Sequence, residues 1–231
     1  MCNLYTVKKS VDEIAAFFGV AASGNRPNVP EELYPGAPGL VVREEDGTRL
    51  LESMVWGFPL RLKTMKPNAK PIPVNNIAEL TKGMWVGLAR KPQWRCLIPA
   101  TGFAEAEGEK GRMTRTWFSL RDEPIFAWAG LWRVSDEWGK VYSGVMTDAN
   151  VDIASVHDRM PVILHRDEWG TWLHGSFEEC CALKNRVFPV GLIDMLQTDE
   201  LWSKTSKAAK AKAAAEAQGA SQDLLSGAAP K

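Results

Sequence analysis

Cys2 is the residue with the most distinctive chemistry in this chain. Loss of Met1 leaves it with an α-amine and a thiol on adjacent carbons. The amine can attack an aldehyde to give an imine, and the thiol can then close a five-membered thiazolidine. With ordinary pKa values of about 8 and about 8.5, both groups keep a reactive fraction near neutrality. No internal cysteine offers that pair. The alternative for Cys2 is a small hydrophobe packed close to a chain end.

Three further segments bring chemistry-bearing side chains together. Pro73-Val74-Asn75-Asn76-Ile77-Ala78-Glu79 reads as a strand end running into a polar turn or helix start. Asn75 there either donates and accepts at a reacting centre or caps a helix. Arg95 to Glu105 ends in a carboxylate among apolar neighbours. Partial burial would raise the pKa of Glu105 and suit it to acid–base work; the plainer reading is a surface carboxylate on an alternating strand. Val156 to Leu164 sets His157, Asp158 and Arg159 side by side before an apolar strand, a less easily dismissed cluster than a lone histidine.

The elements that must hold these groups are mostly strands. Ser10 to Phe18 reads as a helix, with Ser10 as cap, Glu13 at the capping-box position and Gly19 as stop. Residues 21–39, rich in Gly, Pro and Asn, read as loop. Strands are expected at 48–56, 71–74, 94–99, 101–106, 115–121, 124–132, 140–147 and 160–165. Helices are expected at 166–174 and 176–184. The fold class is therefore α+β, in a single domain over 1–202. From Ser203 the composition shifts to Ala, Lys, Ser, Gln and Gly, which predicts a solvated, disordered tail over 203–231 with at most a transient helix at 206–218.

The 231 residues carry no net charge, but the tail is +3 and the body −3. A nucleic-acid binder so composed needs a local basic groove. The four cysteines (Cys2, Cys96, Cys180, Cys181) form no CxxC pair, which suits a reducing compartment. With histidine only at 157, 165 and 174, neither a metal site nor a cofactor is expected. No apolar h-region follows Met1 and no run approaches a membrane span, so the chain reads as cytoplasmic. Ten tryptophans are many for this length. Most should fill core or sheet faces, and Trp56, next to Gly57, is the one singled out for stacking on a base.

In order and spacing these segments resemble the SOS-response-associated peptidase family over roughly residues 1–200. The matching features are Met1-Cys2, Asn75 with Glu79, Glu105 after Gly102-Phe103-Ala104, and His157-Asp158-Arg159-Met160-Pro161; Tyr34 to Gly39 and Trp56-Gly57-Phe58 are further landmarks. The resemblance implies curved, barrel-like antiparallel sheets with flanking helices and the site in a groove. It implies autocatalytic loss of Met1, then a thiazolidine cross-link between Cys2 and the aldehyde of an abasic site in single-stranded DNA. Lyase activity and cross-link reversal come with the family, as do a role in the DNA-damage response and association with the nucleoid; the protein is expected to be a monomer. Cys2 would be the nucleophile, Asn75 the orienting group, Glu105 the acid–base group and His157 the proton shuttle. Trp56, Arg61, Lys66, Lys70 and Arg159 are the expected DNA contacts.

Two departures stand out. The family has arginines where this chain has Leu4 and Ile77, and both would contact phosphates. Their loss predicts a weaker, less salt-sensitive grip, with Arg43, Arg61, Lys63, Lys66, Lys70 and Arg159 as substitutes. Two rival readings are an N-terminal-nucleophile amidohydrolase, which normally wants Gly after the cysteine and a layered α/β fold, and a non-catalytic nucleic-acid binding module.

Overall fold

A computed structural model describes residues 2–21, 27–66 and 68–203. The tail expected over 203–231 lies, apart from Ser203, outside the described residues. In chain order the elements are β1 (Tyr5–Thr6), α1 (Val11–Phe18), β2 (Glu32–Leu33), β3 (Pro38–Glu45), β4 (Thr48–Trp56), β5 (Phe58–Leu60), β6 (Ile72–Val74) and β7 (Asn76–Ile77). There follow α2 (Gly83–Ala89), β8 (Arg95–Ala100), β9 (Gly102–Glu107), β10 (Thr114–Leu120), β11 (Phe126–Ser135) and β12 (Gly139–Asp148). The last are β13 (Arg159–Pro161), β14 (Ile163–Leu164), α3 (Trp169–His174), α4 (Phe177–Asn185) and β15 (Ile193–Leu201).

The strands form two main sheets. One runs β15-β10-β9-β1-β2. In the other, β12, β4, β3, β8 and β11 pair in succession, and β11 pairs back to β12. The pairings thus come round in a ring, although it is not a regular closed barrel: β3 meets β8 at one register pair, Val42↔Leu97. Most neighbours are antiparallel, but β12 runs parallel to β4 and to β7. The α+β expectation is borne out.

Local chemistry explains the boundaries. Ser10 accepts from the Glu13 amide, Glu13 reaches back, and Gly19 closes α1 in the left-handed region at φ 65°. Asp46 and Gly47, both with positive φ, turn β3 into β4 as a tight hairpin. The loop expected over 21–39 is only partly loop, because β2 and the start of β3 fall inside it. Strands β1, β3, β5 and β15 and helix α2 were not anticipated. β15 is an edge strand whose residues are mostly exposed, so it lacks the apolar alternation that marks a strand.

The core sits inside the ring and under the helices. Tyr5, Trp56 and Trp128 pack edge to face, with ring centroids 4.9, 5.8 and 6.0 Å apart. Each such pair adds about 0.5–1.5 kcal/mol beyond its burial. Phe18 stacks on Trp169 at 4.7 Å and docks α1 onto α3. The N-terminal strand is therefore anchored in the core two residues after Asn3, and Cys2 has a fixed address.

Candidate functional site

Three strand ends converge on Cys2. The first belongs to its own segment. β1 pairs with β9 at Tyr5↔Phe103, and the Ala104 amide donates to the Leu4 carbonyl at 2.9 Å. Continued by two residues, that antiparallel register sets Glu105 opposite Asn3. The second is the break between β6 and β7. Asn75 lies in this gap, its carbonyl accepting from Trp56 Nε1 and from the Gly144 amide, both at 3.1 Å. Gly57, at φ 115°, lets the chain pass over Pro73, where a Cβ would stand only 2.5 Å from the proline ring. The third is the turn into β13, which brings up His157.

The side chains meet at the Cys2 main chain. Asn75 Nδ2 donates to the Cys2 carbonyl at 3.0 Å and to Asn3 Oδ1 at 3.1 Å. Asn76 Nδ2 donates to the same carbonyl at 2.7 Å. Neighbours in a regular strand point to opposite faces, and both amides reach one oxygen because the strand is interrupted at Asn75. Two donors on one carbonyl fix the plane of the Cys2–Asn3 peptide, while the thiol is oriented by its own bond to the Leu4 carbonyl.

Cys2 is fully buried, and its thiol donates to the Leu4 carbonyl at 3.5 Å. Burial pushes the thiol pKa well up and the Glu105 charge adds to it, so the resting group is a thiol and not a thiolate. Glu105 is 3% exposed, and its carboxyl is pushed up from 4.5 to about 7, first by burial and further by Asp158. It can hold or release a proton at neutrality. His157 Nε2 lies 3.9 Å from Glu105 Oε2, a gap that one water can bridge. The Arg159 amide donates to His157 Nδ1 at 3.0 Å, so in the neutral ring Nε2 carries the proton and faces Glu105. Asp158 Oδ1 also lies 3.0 Å from Nδ1 and favours the charged ring, but Asp158 is largely exposed. Burial dominates and lowers the His157 pKa.

The four residues expected at the site, Cys2, Asn75, Glu105 and His157, are thus brought together. The expected DNA contacts divide. Trp56 is fully buried and presents no face to a base; it holds Asn75 through Nε1 instead. Arg159 is tied to Asp148 at 2.8 Å and to the Ala78 carbonyl at 3.1 Å, which braces the His157 turn. Arg61 pairs with Glu137 at 3.2 Å, whereas Lys63, Lys66 and Lys70 are exposed. Arg43 is buried against Glu52 and Trp132, so it is no phosphate contact. Glu79 lies away from Cys2 and faces Lys184 at 3.9 Å. Leu4 and Ile77 are both fully buried. They are core residues here, not vacated positions on an open DNA surface.

Sequence reasoning passed over Asn76 and Asn3. Two adjacent asparagines at a strand break were the available signal for Asn76. Among the described residues no helix is long and apolar enough to cross a membrane.

A family model described as SOS response associated peptidase (SRAP) matches residues 1–197. The abasic site processing protein YoaM of Bacillus subtilis is 26% identical over 216 residues, covering 84% of this chain and 88% of its own. YoqW, a protein of the same description from that organism, is 27% identical over 84% of this chain and 90% of its own. A crystal structure from Bordetella bronchiseptica, 22% identical, superposes with a TM-score of 0.69 over 85% of this chain and 99% of that one. One from Bacteroides thetaiotaomicron, 19% identical, also gives 0.69, over 85% and 91%. At these identities the two structures speak for the fold.

Proposed function

Because the chain belongs to the SOS response associated peptidase family, we propose that it processes abasic sites, with Cys2 trapping the DNA aldehyde. The observation that carries the reading is the double amide clamp on the Cys2 carbonyl, set beside a buried carboxyl poised near neutrality. A merely packed cysteine has no need of either. The relatives' description as abasic site processing proteins supports the same reading.

The chemistry runs in two stages. First, water is added across the Met1–Cys2 peptide bond, with Glu105 taking and returning the proton, and Met1 leaves. The chain now begins with the Cys2 amine. Second, that amine adds to the aldehyde of the ring-opened abasic sugar, and loss of one water gives the imine. Sulfur then adds to the imine carbon as the thiol gives up its proton, and a proton is returned to the imine nitrogen, which becomes the ring N–H. Two bonds form, C–N and C–S, and one water is lost overall. The high thiol pKa sets the order: the amine attacks first, and the thiol needs a proton acceptor when it closes the ring. Glu105, with His157 behind it, is that acceptor. Single-stranded DNA is the proposed substrate, because the sugar aldehyde must reach a buried Cys2. The exposed lysines 63, 66 and 70 are the proposed phosphate contacts. The ring-like sheets also differ from the layered α/β fold that an amidohydrolase would use.

The test is the intact mass of the protein mixed with a single-stranded oligonucleotide bearing one abasic site. The expected product is protein without Met1, plus strand, minus one water. Cys2→Ala should give no stable adduct, and neither should a protein with residues fused ahead of Cys2. A normal yield from either would refute the thiazolidine reading.

A further inference from the structure

Beside the Cys2 centre lies a cleft of about 420 Å³, lined by Asn3, Tyr34, Pro35, Arg115, Trp202 and Ser203. Its size falls in the range of small-ligand sites. Asn3 is shared with the reactive centre, since its side-chain oxygen accepts from Asn75 Nδ2. A cleft that shares Asn3 with the centre adjoins the place where the sugar of an abasic residue would meet Cys2.

The charges tell which part of a nucleotide fits. Arg115 is buried, but its Nη1 is committed to Glu200 at 3.1 Å and Glu32 at 3.4 Å, two carboxylates against one guanidinium. Arg115 is the one charged residue among the described residues of the lining, and the two flanking carboxylates offset it, so a phosphate gains no net attraction here. Aromatic faces are what remain. Tyr34 is 40% exposed, yet its hydroxyl is held from both sides: Arg115 Nη2 donates to it at 3.0 Å, and it donates to Glu32 at 3.0 Å. An open ring with a pinned hydroxyl has already lost its rotamer freedom, so stacking on it costs little further ordering. Trp202 also lines the cleft, and its main chain is held there by its amide donating to the Met113 carbonyl at 2.8 Å.

We propose that this cleft binds the nucleobase flanking the abasic residue, stacked against Tyr34 and Trp202, and so selects abasic sites that keep an intact neighbour on one side. The proposal rests on the reading of Cys2 as the aldehyde trap. Arg115 is its positioning residue, acting through Tyr34.

The experiment compares three single strands, each with one reactive abasic site. One keeps normal bases on both sides, and the other two carry a non-reactive tetrahydrofuran spacer immediately 5′ or immediately 3′. Adduct formation is followed under single-turnover conditions at limiting protein. Stacking on an aromatic side chain contributes about 1–3 kcal/mol per base. The wild-type protein should therefore lose about 5- to 150-fold in efficiency with the spacer on one side only. Tyr34→Ala and Trp202→Ala should each erase most of that difference. Arg115→Met should weaken it, with the salt slope of binding unchanged, since no phosphate contact is lost. Equal wild-type efficiency on all three strands would overturn the cleft while leaving the aldehyde trap intact, and it requires no variant to fold. Discrimination that survives both aromatic substitutions would overturn it too. Absence of any wild-type adduct would instead strike the function of Cys2.

Discussion

The state of Glu105 can be weighed by replacing it with glutamine and reading stability against pH. In the folded protein its carboxyl is raised from 4.5 to about 7, chiefly by burial. Below pH 4.5 both folded and unfolded chains hold the proton, and the contribution to stability is fully present. Between 4.5 and about 7 the unfolded chain has released its proton while the folded one still holds it, so stability falls as pH rises. At about 1.4 kcal/mol per pH unit, the loss is about 3 kcal/mol by pH 8. Glutamine keeps the shape and does not titrate. Glu105→Gln should therefore gain on the wild type by about 3 kcal/mol between pH 4.5 and pH 8. Urea unfolding at both pH values, on protein of uniform N-terminus checked by mass, measures this. His157 titrates in both proteins and largely cancels in the difference. A gap that stays flat within about 0.5 kcal/mol would mean that Glu105 ionises like a surface carboxylate, and the acid–base role would lose its basis. A gap of opposite sign would mean that a cation holds it ionised.

The same variant should keep Met1 by mass spectrometry when expressed without a competent aminopeptidase; complete loss of Met1 would remove Glu105 from the processing step. Asn76→Ala should slow adduct formation about 3- to 10-fold, the worth of one hydrogen bond, because Asn75 still holds the Cys2 carbonyl; an unchanged single-turnover rate would show the second amide to be idle. His157→Gln should cost about 10²-fold in the same assay and leave the urea midpoint at pH 8 little changed, since burial already lowers its pKa and it is neutral there. Leu4→Arg should destabilise by roughly 3–5 kcal/mol, because it forces a charge into a fully buried position. A stable Leu4→Arg protein with a steeper salt dependence of DNA binding would show that residue 4 can still swing out to a phosphate.

The chemistry-bearing residues were readable from their neighbours along the chain. Cys2 follows Met1, Glu105 sits in an apolar run, and His157 has Asp158 and Arg159 beside it. These are facts of covalent order, as is the capping box of α1, so they survive without coordinates. Strands β4, β11 and β12 were legible for the same reason; the central strand β3, buried along most of its length, was missed, and so was β15, because an exposed edge strand has no alternation to read. The fate of Trp56, Arg43, Leu4 and Ile77 could not be had that way. Whether a tryptophan stacks on a base or holds an asparagine, and whether a leucine replaces a phosphate contact or fills a core, depends on what packs against it from distant strands. Asn76 joins the site, across 74 residues of sequence, only because a break in one strand turns two neighbouring amides toward the same carbonyl. The cleft at Tyr34 exists only because β10 and the end of β15 carry Arg115 and Trp202 to it. Local sequence encodes propensity and chemical type; burial and convergence are sums over contacts far apart in the chain, and folding alone brings those contacts into being.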